Sequence, residues 1–119
     1  ELVLGAYRYQ CAVCGFQLRL GNALVGLDAA HIKWHQAGEP AIVQNGIALC
    51  VLHHKLFDRG VFTVLGELTV AVSNLASGSA SLDLHLTPFH GRSLRGPLED
   101  AHMPSQEYLA WHLAQVFRT

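Results

Sequence analysis

Two short spacings constrain this chain more than anything else in it: Cys11-Ala-Val-Cys14 and, 36 residues further on, Cys50-Val-Leu-His53. Each is half of a tetrahedral zinc site, in which thiolate and imidazole ligands come in pairs two residues apart. Gly15, directly after the first pair, suits the positive φ that a tight turn around a metal demands. The 3 cysteines are an odd number, so a complete disulfide framework is impossible. A lone C-x-x-C also fits two buried thiols or a redox pair, and the matching C-x-x-H downstream favours zinc held by Cys11, Cys14, Cys50 and His53.

Around the second pair the chain is dense in polar chemistry. Between Leu27 and Gly60 lie His31, His35, His53, His54, Asp28, Asp58 and Asn45, in a protein that is 50% hydrophobic and 14% charged. At 119 residues that composition fits one compact domain with a real core, spanning 1–119. No apolar run reaches the ~20 residues of a membrane helix and no cleavable signal opens the chain, so a soluble, cytoplasmic protein without a membrane partner is expected. The absence of an initiator methionine is what a domain cut from a longer protein would show. A net charge of −1 excludes a uniformly basic nucleic-acid sheath, although Lys33, Lys55 and Arg59 fall inside the dense segment and Arg92 and Arg95 in a later loop. Nothing in the sequence sets an oligomeric state.

A coarse pass places these residues on elements. The opening LVLGAYRYQ reads as a short helix or an extended lead-in. Alternation on both sides of Gly21-Asn22 predicts a hairpin, with His31 near the end of its second strand. HQAGEPAIVQ reads as loop, NGIALC as a return into the fold, and VLHHKLFD as a helix stopped by Gly60. VFTVLGELTVAVS predicts a second hairpin, SLDLHLT a further strand, and SQEYLAWHLAQVF a packing helix. On the VLHHKLFD helix His53 and His54 point about 100° apart and need not serve one ion, whereas His54 and Asp58, four apart, share a face. His35, His85, His90, His102 and His112 have no comparable partners and read as surface or packing residues.

His31 at a strand end, Asn45 fourteen residues on and His54 nine after that, interleaved with Cys11, Cys14 and Cys50, resemble the His-Asn-His of the HNH endonucleases. The resemblance covers about 9–64, half the chain, and leaves 65–119 as a C-terminal extension. It implies an α+β chain with a ββα-metal core and a structural zinc knuckle, to which the sequence adds a β-hairpin and a C-terminal helix. LDAAHIKWHQAG, NGIALCVLHHKLFDRG and FHGR look like the McrA-type branch that includes phosphorothioate-dependent restriction endonucleases, in which a separate domain senses modified DNA. Two departures stand out. Ala30 precedes the first histidine where many relatives carry a metal-binding aspartate, and His53 takes the last place of a knuckle that is often C-x-x-C.

The resemblance implies phosphodiester hydrolysis of DNA. His31 would be the general base, as an imidazole of reference pKa ≈ 6.5 can be at neutral pH. His54, with Asp28 or Asp58, would hold a catalytic Mg2+ or Mn2+. Asn45 would brace the loop that orients His31, and Lys33, Lys55 and Arg59 would contact backbone phosphates. The competing readings are a non-catalytic zinc-stapled nucleic-acid-binding module, in which His31 and His54 are architectural, and a thiol redox protein without zinc.

Overall fold

The computed structural model describes residues 2–34 and 42–119. Its centre is an antiparallel pair, β3 (Leu27–His31) and β4 (Gly46–Cys50), that runs directly into helix α2 (Val51–Asp58). This is the ββα unit that the resemblance implies. All five residues of β4 are buried, so GIALC is the floor of the core rather than a half-exposed strand. The register sets His31 opposite Gly46 and Leu27 opposite Cys50. Base candidate and metal-ligand candidate therefore stand at opposite ends of one short ladder.

Helix α1 (Leu2–Ala6) packs on this pair, and the predicted hairpin around Gly21-Asn22 forms as two-residue strands β1 (Arg19–Leu20) and β2 (Ala23–Leu24). That hairpin does not run on to His31. Gly26 takes φ +81° between β2 and β3, and the chain leaves the first ladder to pair with β4 instead. Helix α2 stops as expected: Gly60 has φ +75°, and a Cβ there would lie 2.1 Å from the Val116 carbonyl oxygen. The loop expected over HQAGEPAIVQ falls largely outside the described residues, as does His35.

Beyond α2 come the second hairpin, β5 (Phe62–Val64) with β6 (Val70–Val72), helix α3 (Leu82–His85) and helix α4 (Gln106–Gln115). The strand predicted over SLDLHLT is thus a helix followed by a 3-10 turn at Thr87–Phe89. A strand would set Leu82, Leu84 and Leu86 on one face. In the fold Leu86 is buried at 4% exposure while Leu84 stands out at 70%, because leucines four apart share a helical face and those two apart do not. The Ser79 hydroxyl, accepting from the Ser81 amide, starts the turn.

The C-terminal helix closes the core through a histidine. His112 is fully buried, its ring stacked on Phe57 at 3.7 Å between centroids and 4° between planes. Its Nε2 donates to the Phe57 carbonyl at 2.9 Å and its Nδ1 pairs with the Thr63 hydroxyl at 2.7 Å. Since a carbonyl can only accept, Nε2 carries a proton, and the hydroxyl can donate to Nδ1 of the neutral ring. Burial, opposed by the bond to Phe57, lowers its pKa to about 4. One hydrophobic cluster runs from Tyr7 through Ile47, Phe57 and Phe62 to Leu109.

Candidate functional site

The four predicted zinc ligands come together. Cys11 and Cys14 lie on a turn whose Gly15 has φ +78°, Cys50 caps α2 by accepting from the His53 amide at 3.4 Å, and His53 follows on the first turn of the helix. The three Sγ atoms and one ring nitrogen all lie within 4.8 Å of one another, and among the described residues this is the one such group of three or more metal-ligating side chains. Tetrahedral Zn–S bonds of about 2.3 Å set ligand atoms roughly 3.8 Å apart. His53 Nδ1 sits 3.3 Å from Cys50 Sγ and 3.7 Å from Cys11 Sγ, so the set fits a metal ion.

The electrostatics of the cluster point the same way. Hydrogen bonds from Cys14 and Cys50 hold the Cys11 thiol far below its usual range, and Cys14 is pushed far up in turn. Burial would lower the His53 pKa, but the Cys11 and Cys50 sulfurs and the His85 carbonyl lift it to about 10. The thiols thus favour a positive charge among them. His53 Nε2 donates to the His85 carbonyl at 2.7 Å, which leaves Nδ1 facing the thiols as a lone pair when the ring is neutral. Sequence reading could not find that partner, since a backbone carbonyl 32 positions away leaves no residue-type signal. Phe62 and Phe89 meet the ring edge-on and wall the cluster.

One residue further along α2 the environment reverses. His54 is half-buried; its Nδ1 lies 2.8 Å from an Asp28 carboxylate oxygen and its Nε2 3.2 Å from an Asp58 oxygen. Both predicted aspartates are therefore present, one from β3 and one from the next turn of the same helix. They bracket the ring rather than converge on a point. Asp58 ties in the third histidine. Burial raises its pKa, and His54, Lys55 and His31 each oppose that rise by charge, so His31 and His54 share one carboxylate's field.

His31 itself is exposed at the end of β3, and Asn45 is buried behind it. The Asn45 side chain accepts from the Lys33 amide at 2.8 Å and donates to the Lys33 carbonyl at 2.9 Å, while its own carbonyl takes the Ile32 amide at 2.9 Å. Two residues after His31 the backbone is thus clamped through both of its polar groups. Of the predicted phosphate contacts, Lys33 is half-buried in this clamp, Lys55 is exposed on α2 beside Asp58, and Arg59 points from the end of the helix into a separate cleft.

Comparison with protein-family models matches residues 11–65 to the HNH endonuclease family. No curated protein matches the chain. Among solved structures the chain is similar to the "Modification dependent TagI restriction endonuclease", with a TM-score of 0.66 and 23% identity over 97% of this chain and 36% of that one. The likeness establishes the fold, and the chain spans about a third of that protein's length. Residues 11–65, which carry the ββα unit and the paired-ligand cluster, match the HNH endonuclease family.

Proposed function

We propose that the chain is the cleavage module of a metal-dependent DNA endonuclease, with His31 as general base. The observation that carries the reading is the pairing of His54 Nε2 with an Asp58 oxygen at 3.2 Å on the open edge of the ββα unit, with His31 near enough for its charge to act on the same carboxylate. In this reading His31 takes the proton of the attacking water, and Asn45 keeps its imidazole aimed by holding both backbone groups of Lys33. Small misplacements of a base cost large factors in rate, which is the reason for so rigid a clamp.

His54 Nε2 and the Asp58 oxygen are the two donor atoms best set to hold a hard divalent ion, Mg2+ or Mn2+, since they already face one another. Asp28 is assigned a different duty: accepting from Nδ1–H, it fixes the tautomer and turn of the ring so that Nε2 is the free donor. The ion, when bound, would stabilise negative charge on the phosphoryl oxygen and on the departing 3′ oxygen. Zinc is assigned to Cys11, Cys14, Cys50 and His53, where three sulfur ligands and the burial of all but the half-buried Cys14 suit a closed structural site. Lys55 is placed to meet a backbone phosphate beside Asp58.

The likeness to a modification-dependent restriction endonuclease supports a larger protein in which another domain reads modified DNA and this chain, acting as one domain over 1–119, does the cutting. No helix of the described residues is long and apolar enough to cross a membrane, and the likeness to a restriction endonuclease is the ground for proposing a cytoplasmic site of action. The test is cleavage of plasmid DNA with Mg2+ or Mn2+ by the parent and by His31→Ala. Loss of cutting in the variant with zinc content and melting retained is expected. A parent that binds zinc and DNA but never nicks the plasmid under either ion would replace this reading with that of a zinc-stapled binding module.

A further inference from the structure

At the far end of α2 two arginines from distant parts of the chain line one cleft of about 230 Å3, with Val61, Ser73 and Leu75 as part of its wall. They are Arg59, the residue after Asp58, and Arg118, next to the last residue of the chain. The arrangement is built, not incidental. The Arg118 amide donates to the Gly60 carbonyl at 3.0 Å, and the absent Cβ of Gly60 leaves room for the Arg118 stem, whose Cγ a Cβ would meet at 2.9 Å. The chain end is thereby laid across the helix end.

Neither guanidinium has a hydrogen bond or carboxylate partner among the described residues. Three other arginines are occupied, Arg8 donating to the Gly96 carbonyl, Arg19 lying over Tyr9 and Arg92 over Phe89, while Arg95 stands apart against Gly15. Ser73, only 5% exposed, accepts from the Leu75 amide, and no described group takes its own proton. Two uncompensated forks and one spare hydroxyl in one concavity are a donor set for an oxyanion, and guanidinium geometry suits phosphate.

We propose that Arg59 and Arg118 clamp one backbone phosphate of the DNA, apart from the phosphate that is cut. The inference rests on the nuclease reading above and adds Arg118 to the DNA-binding surface. Arg59 is one residue from Asp58 but lines a cleft that Asp58 does not, which sets its guanidinium toward a different phosphate. With a charge every 3.4 Å along each strand, a duplex seated at His31 and His54 has other phosphates within reach of the helix end.

The test measures binding of a 20-base-pair duplex by the 119-residue chain in a His31→Ala background, from 50 to 500 mM KCl. Arg118→Met keeps the stem over Gly60 and removes the charge. It is expected to weaken binding about tenfold at 50 mM, to flatten the dependence of log K on log salt by about one, and so to match the parent near 500 mM. Arg59→Met behaves alike, and the double variant loses less than the product of the two, because both grip one phosphate. Arg118→Lys retains the slope. Parental affinity and slope in Arg118→Met overturn the clamp and return the arginines to solvent or to an acidic protein segment; multiplicative losses overturn the shared phosphate. Cutting by the parent decides the nuclease reading separately, and a parent that neither binds nor cuts the duplex overturns both.

Discussion

His53 and His54 are neighbours in sequence and opposites in setting. The first is 2% exposed, walled by Phe62 and Phe89 and surrounded by three sulfurs; the second is 29% exposed at its side chain and flanked by two carboxylates. Soft ligands, three of them buried and Cys14 half-buried, make a site that suits a metal held for structure. Hard ligands at an open edge make one that admits water and substrate. The 100° turn between consecutive helical residues separates the two, so eight residues of helix serve both.

The comparison breaks most visibly at the closed site. Cys11→Ala should lose the metal and with it cooperative folding, since apparent binding energies of structural zinc are on the order of 10–16 kcal/mol. Elemental analysis and a thermal melt check this, and a folded, zinc-free variant would remove the closed site from the account. Next in size is the exchange test between the neighbours. His53→Ala should release zinc and melt early, whereas His54→Ala should keep stoichiometric zinc and near-parental melting yet lose Mg2+- or Mn2+-dependent cutting. Equal zinc loss in both would merge the two sites into one.

At the open site, His31→Ala should slow cleavage at least about a hundredfold with melting retained, the low end of what a general base supplies. Asp28→Asn sharpens the division between the carboxylates: a residue that only orients the ring should cost about tenfold to a hundredfold in activity or metal affinity, restored in part by excess ion. If Asp28→Asn is as dead as Asp58→Asn, both bind the ion directly.

The smallest expected effect concerns acid. His112 is neutral in the fold with its pKa lowered to about 4, against 6.5 for the ordinary side chain. A depressed histidine pKa contributes stability that is present above about 6.5 and is lost as pH falls toward 4, by up to about 1.4 kcal/mol per pH unit. His112→Phe should be less stable than the parent at pH 8, having left Thr63 and the Phe57 carbonyl unpaired, but should melt with a flatter dependence between pH 6.5 and 4. Parallel curves would exclude His112 as the acid-sensitive group.

What could be read from the sequence follows the range of the interactions. The cysteine pairs were legible because each knuckle is a local turn, and His54 with Asp58 because one helical turn brings them together. Asp28 was legible only as one of two candidates, since its meeting with His54 depends on how β3 lies against α2. SLDLHLT misled because a three-leucine alternation satisfies a strand, while burial selects Leu86 and leaves Leu84 in solvent. Arg118 and the His85 carbonyl were invisible: one acquires its place from the path of the chain end over Gly60, and the other is backbone.

The Cys50 cap has a mechanical consequence. His54 lies four residues along α2 from that anchor, about 6 Å at 1.5 Å per residue. A tilt of about 10° at the anchor would swing the ring by roughly 1 Å, a displacement large enough to cost about a hundredfold in rate. The sulfur cluster is thus the pivot of a short lever whose tip carries the histidine proposed to hold the ion. On the proposed reading, oxidation of those thiols, or extraction of a metal bound by them, would stop cutting without touching any residue assigned to DNA.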